Sequence, residues 1–168
     1  ACVQRYQLDR LAEVQPDKVF ANFVDGTEWT YRETRAIAIR TANAFRRLGV
    51  KQGERVLVWL PNSADCLRVW FGLNYLGAVF VPINLAYRGN LLQHTVDVSE
   101  ARLGVIHADL HRRLGEIAPR SLREIVVLGG DAAAVRGLEV HGAEALESDD
   151  ATPPALEREI APWDLQSI

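Results

Sequence analysis

The feature that most constrains this chain is the stretch from Arg55 to Ile83, "RVLVWLPNSADCLRVWFGLNYLGAVFVPI". Arg55 to Leu60 is an almost continuous apolar run, which is what a strand covered on both faces requires; a half-solvated strand would alternate. Pro61 stops it. A helix then fits Ser63 to Leu76, with Asn62 placed to cap it and Asp65 in the first turn, where the helix dipole favours an acid. Its apolar residues (Cys66, Leu67, Val69, Trp70, Phe71, Leu73, Leu76) lie on almost every side, so it is expected to be buried. Gly77 ends it, and Ala78 to Ile83 begins a second buried run. A strand–helix–strand unit with short loops implies a parallel sheet with right-handed crossovers.

The same alternation extends in both directions. "KVFANFVDGTEWTY" (Lys18 to Tyr31) carries two β-rich runs around Asp25-Gly26, a hairpin signal. Thr30 and Glu33 have capping-box spacing. The helix that follows puts Ala38, Ala42, Phe45 and Leu48 on one stripe, and Gly49 supplies its left-handed end. Downstream, helices are expected over Asn90 to Val98 and over about Ala108 to Ile117. Strands are expected over Leu103 to His107 and Glu124 to Gly129. After Gly130 the pattern weakens. Leu146 to Glu159, acidic and Pro-containing, reads as a surface connection to a last strand beginning at Leu165 to Ile168. The fold class is therefore α/β: a mostly parallel sheet with helices on both faces, plus an N-terminal β-hairpin.

Charge and local motifs exclude more than they assign. The net charge of −3 gives no electrostatic case for nucleic acid. No apolar run reaches the ~18 residues needed to span a bilayer, and no leader opens the chain; a cytoplasmic protein is expected. Cys2 and Cys66 show no metal or redox spacing, and Cys66 reads as a small core hydrophobe. His107, Asp109 and His111 sit close in sequence. However, His107 ends a strand and Asp109 reads as a helix cap, so a structural role is favoured over metal ligation. Gly129 and Gly130 lack the length and the Lys and Ser/Thr of a phosphate cradle. Ser63 is not in a nucleophile elbow. No catalytic residue is read anywhere in the chain.

The order of whole segments says more. "TEWTYRET" (Thr27 to Thr34) resembles the T-Y-x-E-L segment of the adenylate-forming (AMP-binding) enzymes. Arg46 to Tyr87 resembles the family's next stretch, L-x-x-x-G-V-x-x-G-D-R-V, a strand, P-N-S, a buried helix and G-A-V-x-V-P-x-N. "TVDVSEARLGVIHAD" (Thr95 to Asp109) resembles the one after. Thr34 stands where Leu is usual and Glu54 where Asp is usual. "GAVFVPINLAY" is more similar to acyl-CoA synthetases than to peptide-synthetase domains. Tyr31, Asn62, Gly77, Pro82 and Asn84 belong to these segments as fold-defining residues.

The resemblance implies an ATP-dependent acyl-CoA ligase. It would activate a small or medium carboxylic acid, or a fatty acid, as an acyl-adenylate with Mg-ATP and pass the acyl group to coenzyme A. The family's Y-T-S-G-T-T-G-x-P-K-G phosphate loop follows a segment like "PWDLQSI". The expectation is therefore an N-terminal piece (1–168) of the large domain, inactive alone and prone to self-association through exposed core. A carrier-protein-loading adenylation enzyme and a non-catalytic interaction module are the alternatives. One cofactor contact is implied by the resemblance: Arg102, opening a strand after S-x-A, against a coenzyme A phosphate, together with the loop at roughly Leu85 to Gly89. The same Arg102 also reads as a solvated strand-end charge.

Overall fold

The structure, a computed structural model, describes residues 2–168. Its first strands form the expected hairpin: β1 (Val19–Asn22) pairs antiparallel with β2 (Glu28–Thr30). Asp25 Oδ1 accepts from the Thr27 N–H at 2.9 Å and Gly26 takes a positive φ, so the turn residues act as their chemistry dictates. Thr30 then caps α2 (Tyr31–Arg47). Its hydroxyl accepts from the Glu33 N–H, and the Glu33 carboxylate accepts from the Thr30 N–H, a reciprocal capping box. Gly49 closes that end of the chain turn with φ +80.

The parallel sheet is five strands in the order β4-β3-β5-β6-β7, built from β3 (Arg55–Trp59), β4 (Val79–Pro82), β5 (Leu103–His107), β6 (Glu124–Leu128) and β7 (Glu139–His141). Its central strands are apolar on both faces because both faces are covered. Val56, Val58, Leu103, Val105, Val126 and Leu128 face one core with Ala38, Ala42 and Phe45 of α2 and Val69 and Leu73 of α3 (Ala64–Leu76). Leu57, Trp59, Ile106, Ile125 and Val127 face a second core with Leu92 and Val96 of α4 (Gly89–Ser99) and with Leu110 and Leu114. At Gly72 the two helices of the first core nearly touch. A Cβ there would lie 2.5 Å from Thr41 Cγ2, so α3 reaches α2 only because this residue has no side chain.

Several expectations need correction. The cap of α3 is Ser63, whose hydroxyl accepts from the Cys66 N–H at 3.2 Å, and not Asn62; the helix begins one residue later than expected. Nor is α3 buried throughout: its first two turns are half-exposed, and Trp70 lies at the surface, stacked on Phe80 with centroids 5.6 Å apart. The helix expected from Ala108 to Ile117 is a 3₁₀ turn, His111–Glu116. Asp109 does not cap it: the residue before the turn is Leu110, without a side-chain cap bond, and Gly115 weakens the interior. Three elements were not expected. One is α1 (Gln4–Val14), in which Leu8 is the buried residue. The others are β7, short and half-polar, and a 3₁₀ turn further on.

Beyond β6 and its pairing with β7, the chain is held largely by side chains that hydrogen-bond its backbone. After the 3₁₀ turn Ala143–Leu146, Asn43 Nδ2 donates to the Asp150 and Thr152 carbonyls at 3.0 and 2.8 Å. The Arg5 guanidinium reaches the Pro154 carbonyl at 3.1–3.2 Å, and Tyr6 Oη accepts from the Ile160 N–H at 2.9 Å. Pro154 is buried, so the segment expected to be a surface connection is fastened down at this point. The last residues extend the sheet: Ser167 bridges Phe80 in parallel, and Asn74 Nδ2 donates to the Gln166 carbonyl at 2.7 Å.

Candidate functional site

In a parallel sheet, ligands bind outside the carboxyl ends of the strands, where the strand order reverses. Here the chain steps from β3 outward to β4, returns past β3 to β5, and then continues to β6 and β7. The reversal lies between β3 and β5, so their exits, Leu60–Ser63 and His107–Asp109, flank the crevice position. Two features organise that edge. Trp59 Nε1–H donates to the Asn84 carbonyl at 2.9 Å, and Arg113 donates to the Leu85 carbonyl at 2.8 Å while its guanidinium sits 5.7 Å from the Trp59 ring centre. The loop after β4 is thereby tied to β3 and to the 3₁₀ turn. Beside it, the hairpin tip and the start of α3 enclose an open cleft of about 570 Å³, bounded by Phe23, Val24, Asn62, Cys66, Leu67 and Trp70. Its size falls within the range of small-ligand sites.

The candidate nucleophiles and ligands at this edge have other occupations. Burial, and secondarily the Asp65 charge, push the Cys66 thiol above its ordinary pKa, so it stays protonated near neutrality. His107 Nδ1 faces the Asp109 N–H at 3.2 Å, whereas His111 Nδ1 faces the Ala108 carbonyl at 2.7 Å. The His-Asp-His run therefore does not converge on one point. Ser63 is a helix cap. Gly129 takes a positive φ at a tight turn packed on the His107 ring.

Arg102 lies at the other edge. It precedes β5, level with the start of β3, while Leu85 to Gly89 follow β4. The length of the sheet separates them, about 13 Å for a four-residue strand. The two segments are not brought together within this chain. The guanidinium of Arg102 is paired with Glu124 and donates to the Leu48 carbonyl at 3.0 Å. It also lines a cavity of about 340 Å³ with Arg55, Glu54 and Glu100, in which Arg55 pairs with Glu100. Glu124 in turn meets His141, 3.1 Å away. Sequence reasoning missed this charge relay, since it depends on β7 pairing with β6 in register, and a three-residue strand gives no periodicity.

Comparisons with known proteins agree with this architecture. A family described as "AMP-binding enzyme" matches residues 8–168. The crotonobetaine/carnitine–CoA ligase of Salmonella paratyphi A is 34% identical over 117 residues, which cover 67% of this chain and 23% of the relative. Long-chain fatty acid transport protein 6 of Mus musculus is 29% identical over 143 residues, covering 84% and 23%. The chain thus spans about a quarter of the length of these curated relatives. Among solved structures, a protein assigned as a long-chain-fatty-acid CoA ligase from Rhodopseudomonas palustris superposes with a TM-score of 0.84 at 22% identity, covering 98% of this chain and 40% of that one. At that identity the likeness carries the fold.

Proposed function

The chain belongs to the AMP-binding enzyme family, and on that premise we propose that the protein it comes from is an ATP-dependent acyl-CoA ligase. The observation that carries this reading is the match to a CoA ligase at 34% identity over two thirds of the chain. The reaction would have two halves. A carboxylate oxygen attacks the α-phosphorus of Mg-ATP, expelling pyrophosphate and forming an acyl-adenylate; the thiol of coenzyme A then attacks the acyl carbon, expelling AMP. We place residues 1–168 as the first portion of the large domain, since they cover only about a quarter of such relatives.

The described residues hold no Ser/Thr/Gly-rich phosphate loop and so do not fit the triphosphate. Their contribution would be the scaffold: a covered parallel sheet whose carboxyl edge is stiffened by the Trp59–Asn84 and Arg113–Leu85 contacts. Arg102 remains the candidate for a coenzyme A phosphate. Arg55 in the same cavity adds a second guanidinium, and a planar fork suits a phosphate well. Glu124 and Glu100 compete for both, so a phosphate would have to share them. No helix among the described residues is long and apolar enough to cross a membrane.

Pyrophosphate exchange into ATP, dependent on an added carboxylic acid, tests the first half-reaction with the full-length protein. Loss of exchange for every aliphatic and aromatic acid offered would remove the ligase reading. Arg102→Ala should raise the KM for coenzyme A and leave that for ATP unchanged. Residues 1–168 alone should show no exchange and should self-associate, because Trp70, Trp163, Leu165 and Ile168 are exposed. A clean monomer by light scattering that binds no hydrophobic dye would contradict the second expectation. A stable, soluble monomer of this kind would instead favour an interaction module.

A further inference from the structure

The parallel register of β6 and β7 sets Glu124 beside Glu139 and Val126 beside His141. Side chains two apart on a strand share a face, so Glu139, His141 and Glu124 all project from the same side of the sheet. Their donor atoms converge. His141 Nε2 is 3.1 Å from Glu124 Oε2 and 3.7 Å from Glu139 Oε1, and the three ligand atoms lie within 4.8 Å of one another. Ligands about 2.1 Å from a tetrahedral ion are separated by roughly 3.4 Å, the value these distances bracket.

We propose that Glu124, Glu139 and His141 form a site for a transition-metal dication of the zinc class. An imidazole nitrogen with two carboxylates suits zinc, whereas calcium and magnesium prefer oxygen throughout. Each ligand is prepared differently. The Glu124 side chain is only 11% exposed, and Arg102 takes its other oxygen, Oε1, which fixes the carboxylate plane and leaves Oε2 directed at His141. Carboxylates that ligate metals are themselves commonly held by such an outer hydrogen-bond partner, here Arg102. His141 is partly covered, and Glu139 is mostly exposed, so the remaining coordination position opens to water. A bound ion would clamp β7, the three-residue edge strand, onto β6. The assignment does not depend on the ligase reading.

The test is a titration of metal-free protein with Zn²⁺ against a chromophoric chelator, followed by Co²⁺ absorption to report the geometry. One saturable equivalent is expected, with visible Co²⁺ bands of a low-coordinate site. His141→Ala should weaken binding by more than about tenfold, a loss already seen when only outer partners are removed. Glu139→Gln should act in the same direction and, since Glu139 is exposed, leaves the fold intact. His94→Ala, an exposed residue on α4, should change nothing. Failure to saturate at micromolar Zn²⁺, or binding indifferent to Glu139→Gln and His141→Ala, overturns the assignment.

Discussion

Residues 31–129 and residues 130–168 are held in place by different forces. In the first region strands and helices bury apolar side chains on two faces of one sheet, and Phe45, Leu57 and Trp59 are wholly inaccessible. In the second, one three-residue strand and two turns of structure are fastened by side chains from elsewhere in the molecule: Asn43, Asn74 and Arg5 donate to its carbonyls, and Tyr6 accepts from the Ile160 N–H. Burial acts without regard to direction, so the first region tolerates only volume-matched change. The second rests on individual hydrogen bonds, each modest and each removable alone.

That contrast can be broken most forcefully from the core side. Phe45→Ala should cost about 3–5 kcal/mol, the range for emptying an aromatic site, and lower the urea midpoint of the whole molecule. If only part of the chain unfolded, the core would not be the common support. Gly72→Ala should follow at roughly 1–3 kcal/mol, because the new methyl meets Thr41 and the Ala42 backbone. A melting temperature equal to the parent's would mean the helices can move apart freely. Asn43→Ala should cost about 1–3 kcal/mol, the penalty of unpairing buried polar groups. Its signature is local: faster protease cutting around Asp150–Pro154, with core amide protection retained.

The smallest effect is set by pH. Arg158 holds the Asp164 carboxyl below its ordinary pKa by two hydrogen bonds, assisted by the Ala161 N–H. The Thr152 N–H does the same for Asp150. A depressed carboxyl favours the fold above about pH 4, and that contribution is lost as pH falls through the lower folded value. The protection factors of the Thr152 and Ala161 amides, taken against the intrinsic exchange rate at each pH, should therefore fall below about pH 4. Amides indifferent to acid would show that these turns stand without their carboxylates.

The same division decides what was legible in the sequence. Arg55 to Leu60, Leu103 to His107 and Glu124 to Gly129 announce themselves because two-sided burial writes an uninterrupted apolar run. The capping box at Thr30 and Glu33 is equally local. By contrast, α1 keeps one buried leucine and owes its position to Asp9, which accepts from Arg35 and from the Tyr75 hydroxyl at 2.6 Å each. Those partners lie far along the chain, and no local pattern records them. Choosing Asn62 over Ser63 as the cap failed for a smaller reason: both residues can accept from a helix N–H, and the register of the first turn decides between them. The carboxylate–imidazole group at Glu124 and His141 was hidden because it exists only in the register of two strands.

Arg5 illustrates a consequence for how the molecule assembles. Its guanidinium lies 4.5 Å from the Tyr75 ring centre and donates to the carbonyls of Tyr75 and Pro154, so the start, the middle and the last third of the chain meet at one side chain. Such a node cannot form until all three segments have arrived, so it is expected to form after the folding barrier, and Arg5→Ala should then speed unfolding more than it slows folding. Contacts made that late leave the rate of folding nearly untouched and act on the rate of escape. Arg5 is in that sense a latch, setting how long the folded state lasts more than how quickly it is reached.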